Sequence, residues 1–264
     1  MRILIDVTRD FERQSNALED IDAVLLTHGH ADACGGIAEL RRWLRSRGRE
    51  QLPLYAGAAT IAAVERRFRR VDHCDFKPVR PGRPRRLGGV ELSAMEVPHA
   101  RDERFPTFAW RIRQGRETLV YASDVAWLTP ELERFSRSAS LLVIDGAMWR
   151  RQLFSHLTID RELPRLCDWR VEQIVLTQIG RTAPAPRPAR ARRAPAVRTG
   201  AARIRRPQAG TPVNVRKRTA SGRAERGGRT AAGVRIPAQV LGRCPTPCTN
   251  DRGLRAALPR FALR

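Results

Sequence analysis

Along the first 180 positions the apolar residues come in short blocks of two kinds. Ile3-Leu4-Ile5-Asp6-Val7 and Asp22-Ala23-Val24-Leu25-Leu26-Thr27 are compact runs that read as buried strands, with a polar, helical stretch between them. Ile37, Leu40 and Leu44 fall at helical spacing with arginines on the other face, so 37–47 is predicted helical, and Gly48 ends it. Leu52 to Tyr55 reads as a strand, and Ala58 to Phe68 as a helix with Ile61, Val64 and Phe68 on one face. From Arg86 to Pro98 the chain alternates in the manner of one half-buried strand that ends at Pro98-His99. Strands follow at Thr107 to Arg113 and Thr118 to Ala122, around a turn at Gly115. Thr129-Pro130-Glu131 opens a helix to about Ser138, with Thr as N-cap and Pro at the first helical position. Leu141 to Ile144 is an apolar strand ending in Asp145-Gly146, Thr158 caps a helix reaching Trp169, and Gln173 to Ile179 is the last strand. Hairpins mixed among β-α units predict a layered α/β or α+β domain.

After Arg181 the pattern stops. Residues 183–264 hold 20 of the 50 lysines and arginines but 2 of the 27 acidic residues, so +18 of the net +23 lies there and 1–182 is near balance at +5. The same stretch has 10 of the 18 prolines and no hydrophobic period. It cannot bury enough apolar surface to offset its chain entropy. The expected organisation is a folded domain over 1–182 and a disordered Arg/Pro/Ala-rich tail over 183–264. Arg, Ala, Pro and Gly are what GC-rich codons yield in a wrong frame, so a shifted reading frame after about Thr182 is the expected origin of the tail. Its charge predicts weak, salt-sensitive, sequence-blind nucleic-acid binding at most, since Phe261 is its only aromatic residue. Five cysteines, Cys34, Cys74, Cys167, Cys244 and Cys248, are an odd number at irregular spacing, which argues against a secreted disulfide framework and for the cytoplasm. No run of about 18 apolar residues is present, so no membrane association is expected.

The chemistry starts at the end of the second predicted strand. In Thr27-His28-Gly29-His30-Ala31-Asp32-Ala33-Cys34-Gly35-Gly36, two imidazoles two residues apart and a carboxylate at the same period can converge on one cation. Imidazole nitrogen and carboxylate oxygen suit Zn²⁺ and its neighbours, at roughly 2.0–2.2 Å. Gly35 and Gly36 are expected to let the chain turn into the helix that starts near Ile37.

His-x-His-x-Asp-x-x-Gly-Gly after a buried strand resembles the signature of the metallo-β-lactamase superfamily, whose full form is His-x-His-x-Asp-His. Ala33 stands where that form has its last His. The resemblance covers about residues 1–182 and implies an αββα sandwich, two mixed sheets face to face with helices outside and the metal at one edge. It lacks the N-terminal hairpin and the closing strand of related members. It further implies that His99, at the end of Val97-Pro98-His99, is the third metal-binding His, and that Asp124, at the end of Tyr121-Ala122-Ser123-Asp124, is the bridging carboxylate. Asp6 resembles the carboxylate that orients a ligand loop without being a ligand. Phe154-Ser155-His156-Leu157-Thr158 resembles a stretch of phosphodiesterase-like members whose His acts on the scissile phosphate or the leaving group; alternatively, His156 merely precedes a helix. Gln178 stands where the last family His would be.

The resemblance implies two ligand sets: the family's first metal would take His28, His30, His99 and Asp124, all present. The second would take Asp32, Asp124 and two imidazoles, whose places are held by Ala33 and Gln178. One metal is therefore expected, Zn²⁺ first, with Mn or Fe as alternatives, and Asp32 and His156 are the catalytic candidates. His73, between Asp72 and Cys74, matches no motif and is read as a surface residue. Three functions are open: a metal-dependent hydrolase of phosphodiester bonds in a small-molecule substrate, using metal-bound hydroxide; a member resembling pyrroloquinoline-quinone biosynthesis protein B, or otherwise adapted to redox chemistry; and a damaged or non-catalytic member with one metal or none.

Overall fold

The computed structural model of the protein describes residues 1–99, 106–180 and 183, with the short pieces 235–236 and 262–263. In chain order its first part comprises β1 (Ile3–Ile5), α1 (Phe11–Ser15), β2 (Ala23–Leu25), α2 (Ala31–Cys34), α3 (Ile37–Arg45), β3 (Leu52–Ala56), α4 (Ala58–Arg67) and β4 (Cys74–Pro78). The second part comprises β5 (Arg85–Leu87), β6 (Val90–Val97), β7 (Thr107–Gln114), β8 (Glu117–Ala122), α5 (Pro130–Ser136), β9 (Leu141–Asp145), α6 (Ile159–Cys167) and β10 (Ile174–Thr177). Strands β1-β2-β3-β4 form a parallel sheet in that order. The other sheet runs β10-β9-β8-β7-β6-β5, parallel from β10 to β8 and antiparallel from there on.

The period of two along the strands assigns the layers. Ile3 and Ile5 of β1, Leu119 and Tyr121 of β8, and Leu141 and Val143 of β9 share one buried cluster with Trp110 and Leu92, contributed by both sheets. Their neighbours point the other way. Leu4 packs with Ile37, Leu40, Leu44 and Val64 of α3 and α4, whereas Val120, Leu142 and Ile144 pack with Leu132 of α5 and Ile159 and Leu166 of α6. Three apolar layers thus separate helices, sheet, sheet and helices, which is the expected αββα sandwich. Two hydrogen bonds stitch the sheets together: Trp110 Nε1–H donates to the Leu26 carbonyl at 3.1 Å, and Phe108 N–H to the Thr27 carbonyl at 2.8 Å.

The structure departs from the pattern-based reading in four places. The single strand expected over 86–98 is a hairpin of β5 and β6, because Gly88 adopts φ 56° and Leu87 pairs with Val90 across a two-residue Gly-Gly turn. Strand β4 falls where no element was predicted; its end residues Lys77 and Pro78 are exposed, so no alternation marks it. His73, read as a surface residue, is buried beside it, its Nε2–H donating to the Ile37 carbonyl at 3.0 Å. Gly35 and Gly36 keep φ at −65° and −95°, so they supply room rather than conformational freedom. A Cβ on Gly36 would lie 2.2 Å from the Thr8 carbonyl oxygen and 2.8 Å from Phe11 Cβ.

From the tail 183–264, expected to be disordered, the structure describes Ala183 and two strands, β11 (Arg235–Ile236) and β12 (Ala262–Leu263), paired in parallel. The rest, including the whole of the second compact unit Arg187–Ala231, lies outside the described residues. Among the described residues no helix is long and apolar enough to cross a membrane.

Gly36→Ala tests the close approach of the α2–α3 junction to the segment after β1. The extra methyl meets backbone that cannot yield cheaply, so a loss of about 1–3 kcal/mol is expected, read as a lower urea midpoint at unchanged slope.

Candidate metal centre

Most side chains of the centre sit at or just past a strand end, at one edge shared by both sheets, with Asp32 in α2 and His156 in the loop before α6. Thr27 and His28 follow β2, His99 follows β6, Asp124 follows β8, Asp145 ends β9 and Gln178 follows β10. Because β6, β8, β9 and β10 all run the same way, their C-terminal ends meet at that edge. The bond from Phe108 N–H to Thr27 holds the end of β2 against it. Four of the chain's five histidines gather there. Ring centroids are 4.8 Å apart for His28 and His30, 5.2 Å for His28 and His99, and 5.3 Å for His99 and His156. Donor atoms of three triads lie within 4.8 Å of one another: His28, His30 and His99; His99, Asp124 and His156; His28, Asp32 and Asp124.

Hydrogen bonds decide which ring nitrogen faces inward. The Asp6 carboxylate accepts the Thr27 N–H at 2.7 Å and the Thr27 hydroxyl at 2.9 Å. With its one proton committed to Asp6, Thr27 Oγ1 accepts from His28 Nδ1 at 2.9 Å, which leaves the lone pair of His28 on Nε2. His99 Nδ1–H donates to the Ser155 carbonyl at 2.8 Å, again freeing Nε2, which lies 3.9 Å from Asp124 Oδ1. His156 Nδ1–H donates to Asp145 Oδ2 at 2.8 Å. Asp145 is fully buried and also accepts from the N–H groups of Val125 and Ala147, so it ties the loop after Asp124 to His156.

Asp124 is held on one side only. Its Oδ2 accepts the Ser123 hydroxyl at 2.5 Å and the Gln178 amide at 3.0 Å. Since a carboxylate can only accept, the Gln178 amide presents its nitrogen there. Gln178 thus reaches the centre as a donor to Asp124, not as an oxygen ligand, from a backbone at φ 56°. Asp6, at φ 61°, is the centre's other left-handed non-glycine residue. Asp124 Oδ1 and His28 Nε2 are buried without a hydrogen-bond partner. Two such atoms in a nest of imidazoles and carboxylates fit a bound cation, since an unpaired buried polar group otherwise costs about 1–3 kcal/mol.

The electrostatics are those of a buried nest of opposite charges. Burial pushes the Asp6 carboxyl up to about 7, against the pull of His28 and Thr27, and raises Asp145 against the pull of His156. His30 and His99 are held below their ordinary value, chiefly by burial. Burial disfavours protonated His28 too, yet the carboxylates of Asp32, Asp124 and Asp6 outweigh it and raise its pKa. The hydrogen bond to Asp145 raises His156. Asp32, paired mainly with His28 at 3.6 Å and largely exposed, is held well below the usual carboxylate range.

The structure therefore brings together His28, His30, Asp32, His99, Asp124 and His156, places Asp6 behind Thr27, and draws in Gln178 through its amide. Ala33 is buried in α2 and offers no donor. Sequence reasoning missed Thr27, Ser123, Asp145 and Ser155. Of these only Asp145 carries a signal, an apolar strand ending in Asp just as the strand before Asp124 does.

The profile of the Beta-lactamase superfamily domain matches residues 1–179. The chain belongs to this superfamily. Among solved structures its fold is shared by a diphosphatase from the PhnP family, 24% identical with a TM-score of 0.61 over 69% of this chain and 70% of that one. The metallo-β-lactamase fold protein YhfI from Bacillus subtilis is 22% identical with a TM-score of 0.59, covering 69% and 75%. Zn²⁺-bound PqqB from Methylobacterium extorquens is 21% identical with a TM-score of 0.57, covering 67% and 72%. Among curated proteins, an octanoyltransferase of Porphyromonas gingivalis is 26% identical over 196 residues, 69% of this chain and 37% of that protein. The exodeoxyribonuclease WalJ of Streptococcus pneumoniae is 25% identical over 166 residues, 61% of this chain and 54% of that protein. The chain thus spans between about a third and a half of the curated relatives it matches.

Asp6→Ala strands the Thr27 N–H and places alanine in the left-handed region; together these predict a loss of about 2–4 kcal/mol in urea unfolding. Asp6→Asn keeps an acceptor and tolerates the backbone, so it retains most of the stability. If Thr27 orients His28 as described, Asp6→Ala also weakens metal binding by roughly 10–100-fold in a chelator competition.

Proposed function

We propose that the protein hydrolyses phosphodiester bonds at a centre that holds a single divalent metal ion, Zn²⁺ by preference. One observation carries this reading: the buried, unpartnered His28 Nε2 and Asp124 Oδ1 converge with His30 and His99, beside a His156 oriented by a buried carboxylate. His28, His30, His99 and Asp124 would hold the ion. What a divalent cation supplies there is Lewis-acid polarisation of a phosphoryl oxygen and acidification of water. Thr27, backed by Asp6, and the Ser155 carbonyl keep Nε2 of His28 and His99 turned inward. With His156 Nδ1 committed to Asp145, its Nε2 is the atom that gives a proton to the leaving oxygen or takes one from water, the general acid–base role of a carboxylate-oriented imidazole. Asp32, next to His28 and largely exposed, is the remaining carboxylate available to a water or to substrate.

A single ion is favoured over two because Ser123 and Gln178 occupy Asp124 Oδ2, which leaves Oδ1 as the one oxygen able to bind a cation. The likeness to an exodeoxyribonuclease supports phosphodiester chemistry. The octanoyltransferase matches over too small a part of its length to carry acyl transfer over. The same Ala33 and Gln178 favour a second reading, a metal-binding member without catalysis.

Metal analysis of the dialysed full chain and hydrolysis of bis-p-nitrophenyl phosphate separate the two. About one metal per chain is expected, with measurable turnover. His156→Ala should keep the metal and lower kcat by about 10²–10⁴-fold, and Asp145→Asn should move kcat in the same direction. Ala33→His combined with Gln178→His should bring the metal content to two and raise the rate, since a second cation also stabilises the leaving oxygen. A metal-loaded chain with no turnover would replace hydrolysis with the non-catalytic reading.

A further inference from the structure

Two large apolar side chains stand exposed among the described residues, Trp127 at 58% and Phe154 at 71%. Both belong to loops that build the metal centre. Trp127 comes three residues after Asp124, and its neighbour Ala126 donates its N–H to the Pro98 carbonyl at 2.7 Å, next to His99. Phe154 comes two residues before His156, and its neighbour Ser155 accepts from His99 Nδ1 at 2.8 Å. The Pro98-His99 segment is thus gripped from two sides, and each grip is one residue away from an exposed ring. Two leucines of the same loops, Leu128 and Leu157, are buried, so the loops do have core to offer. Exposed apolar surface beside a reactive centre marks a place where a ligand is received. The loop that carries Phe154 also holds Arg151, which is exposed.

Exposed flat rings and an exposed arginine on the loops that carry a phosphodiester-cleaving centre suit a ligand that joins a flat aromatic group to phosphate. Resting on the hydrolase reading above, we propose that Trp127 and Phe154 are the nucleobase platform of this centre, so that its substrates are nucleotidyl phosphodiesters. Stacking serves here because every base has a π-face, and Arg151 adds attraction for phosphates further along the ligand. Neither ring touches the reacting atoms; both act by holding the base while the phosphate is cleaved.

Two esters with the same leaving group test this on the metal-loaded full chain: thymidine 5′-(p-nitrophenyl phosphate) and methyl p-nitrophenyl phosphate. The expected kcat/KM ratio favours the nucleotide by roughly 5- to 150-fold, which is the worth of one stacked base at about 1–3 kcal/mol. Trp127→Ala and Phe154→Ala should each lower that ratio, whereas Trp127→Phe and Phe154→Tyr, which keep a ring, should largely preserve it. Calorimetric binding of thymidine 5′-monophosphate should weaken in parallel in the two alanine variants. A wild-type ratio near one, or a ratio untouched by both alanine variants, overturns the proposal. If neither ester is cleaved, the hydrolase reading fails, and the platform then stands or falls on whether thymidine 5′-monophosphate binds the wild type and loses affinity in the alanine variants.

Discussion

A single buried carboxylate holds the centre in register with both sheets. Asp6 leaves β1 in a left-handed conformation and accepts both the N–H and the hydroxyl of Thr27. Thr27 in turn passes its order on in two directions. Its hydroxyl fixes the ring of His28, and its carbonyl accepts from Phe108 at the start of β7, in the opposite sheet. With Trp110 bonded to the Leu26 carbonyl beside it, two consecutive residues at the end of β2 connect the layers. His99, Asp124, Asp145, His156 and Gln178 all come from the segments after β6, β8, β9 or β10, so their distances to His28 depend on this junction.

The junction imposes an electrostatic cost that shapes the rest of the edge. Burial works against charge on Asp6 and Asp145 and against protonation of His30 and His99. Four side chains of the centre are fixed by a hydrogen bond to the nitrogen or oxygen that faces away from it: Thr27 for His28, Ser155 for His99, Asp145 for His156, Ser123 and Gln178 for Asp124. Such outward partners set tautomer and orientation, which is how a nest of donors is made ready for a cation. Two of the inward atoms, His28 Nε2 and Asp124 Oδ1, are left buried without a hydrogen-bond partner.

Gln178 shows how the same scaffold is tuned. At the end of β10, where the fold delivers a side chain to the edge, an imidazole would offer a lone pair, whereas an amide offers a proton. That N–H occupies Asp124 Oδ2 and leaves Oδ1 as the oxygen of this carboxylate without a hydrogen-bond partner. The rim carries a different kind of information. Trp127 and Phe154 stand exposed on the loops that Asp145 and His99 tie down.

The sequence by itself determined most of the strands and helices of a layered domain and the seed of the centre, while the αββα order of the layers was implied by the resemblance. Strands and helices announce themselves through local periods, and His28, His30 and Asp32 are close in the chain, so their convergence requires only a turn. His99 and Asp124 were legible because each follows an apolar strand in an arrangement that resembles a known motif. What the tertiary structure decided lies between residues far apart in the chain: 21 positions separate Asp6 from Thr27, 11 separate Asp145 from His156, and 54 separate Asp124 from Gln178. No local pattern says that Gln178 donates to Asp124, that Asp145 is buried under His156, or that His73 lies inside the fold. The hairpin at Gly88 and the room at Gly36 were hidden for the opposite reasons, one a turn inside an apparent strand, the other a clash with residues around Thr8. In each case the deciding quantity is the direction of a hydrogen bond or the space beside an atom, and both exist only once the two sheets have closed on each other.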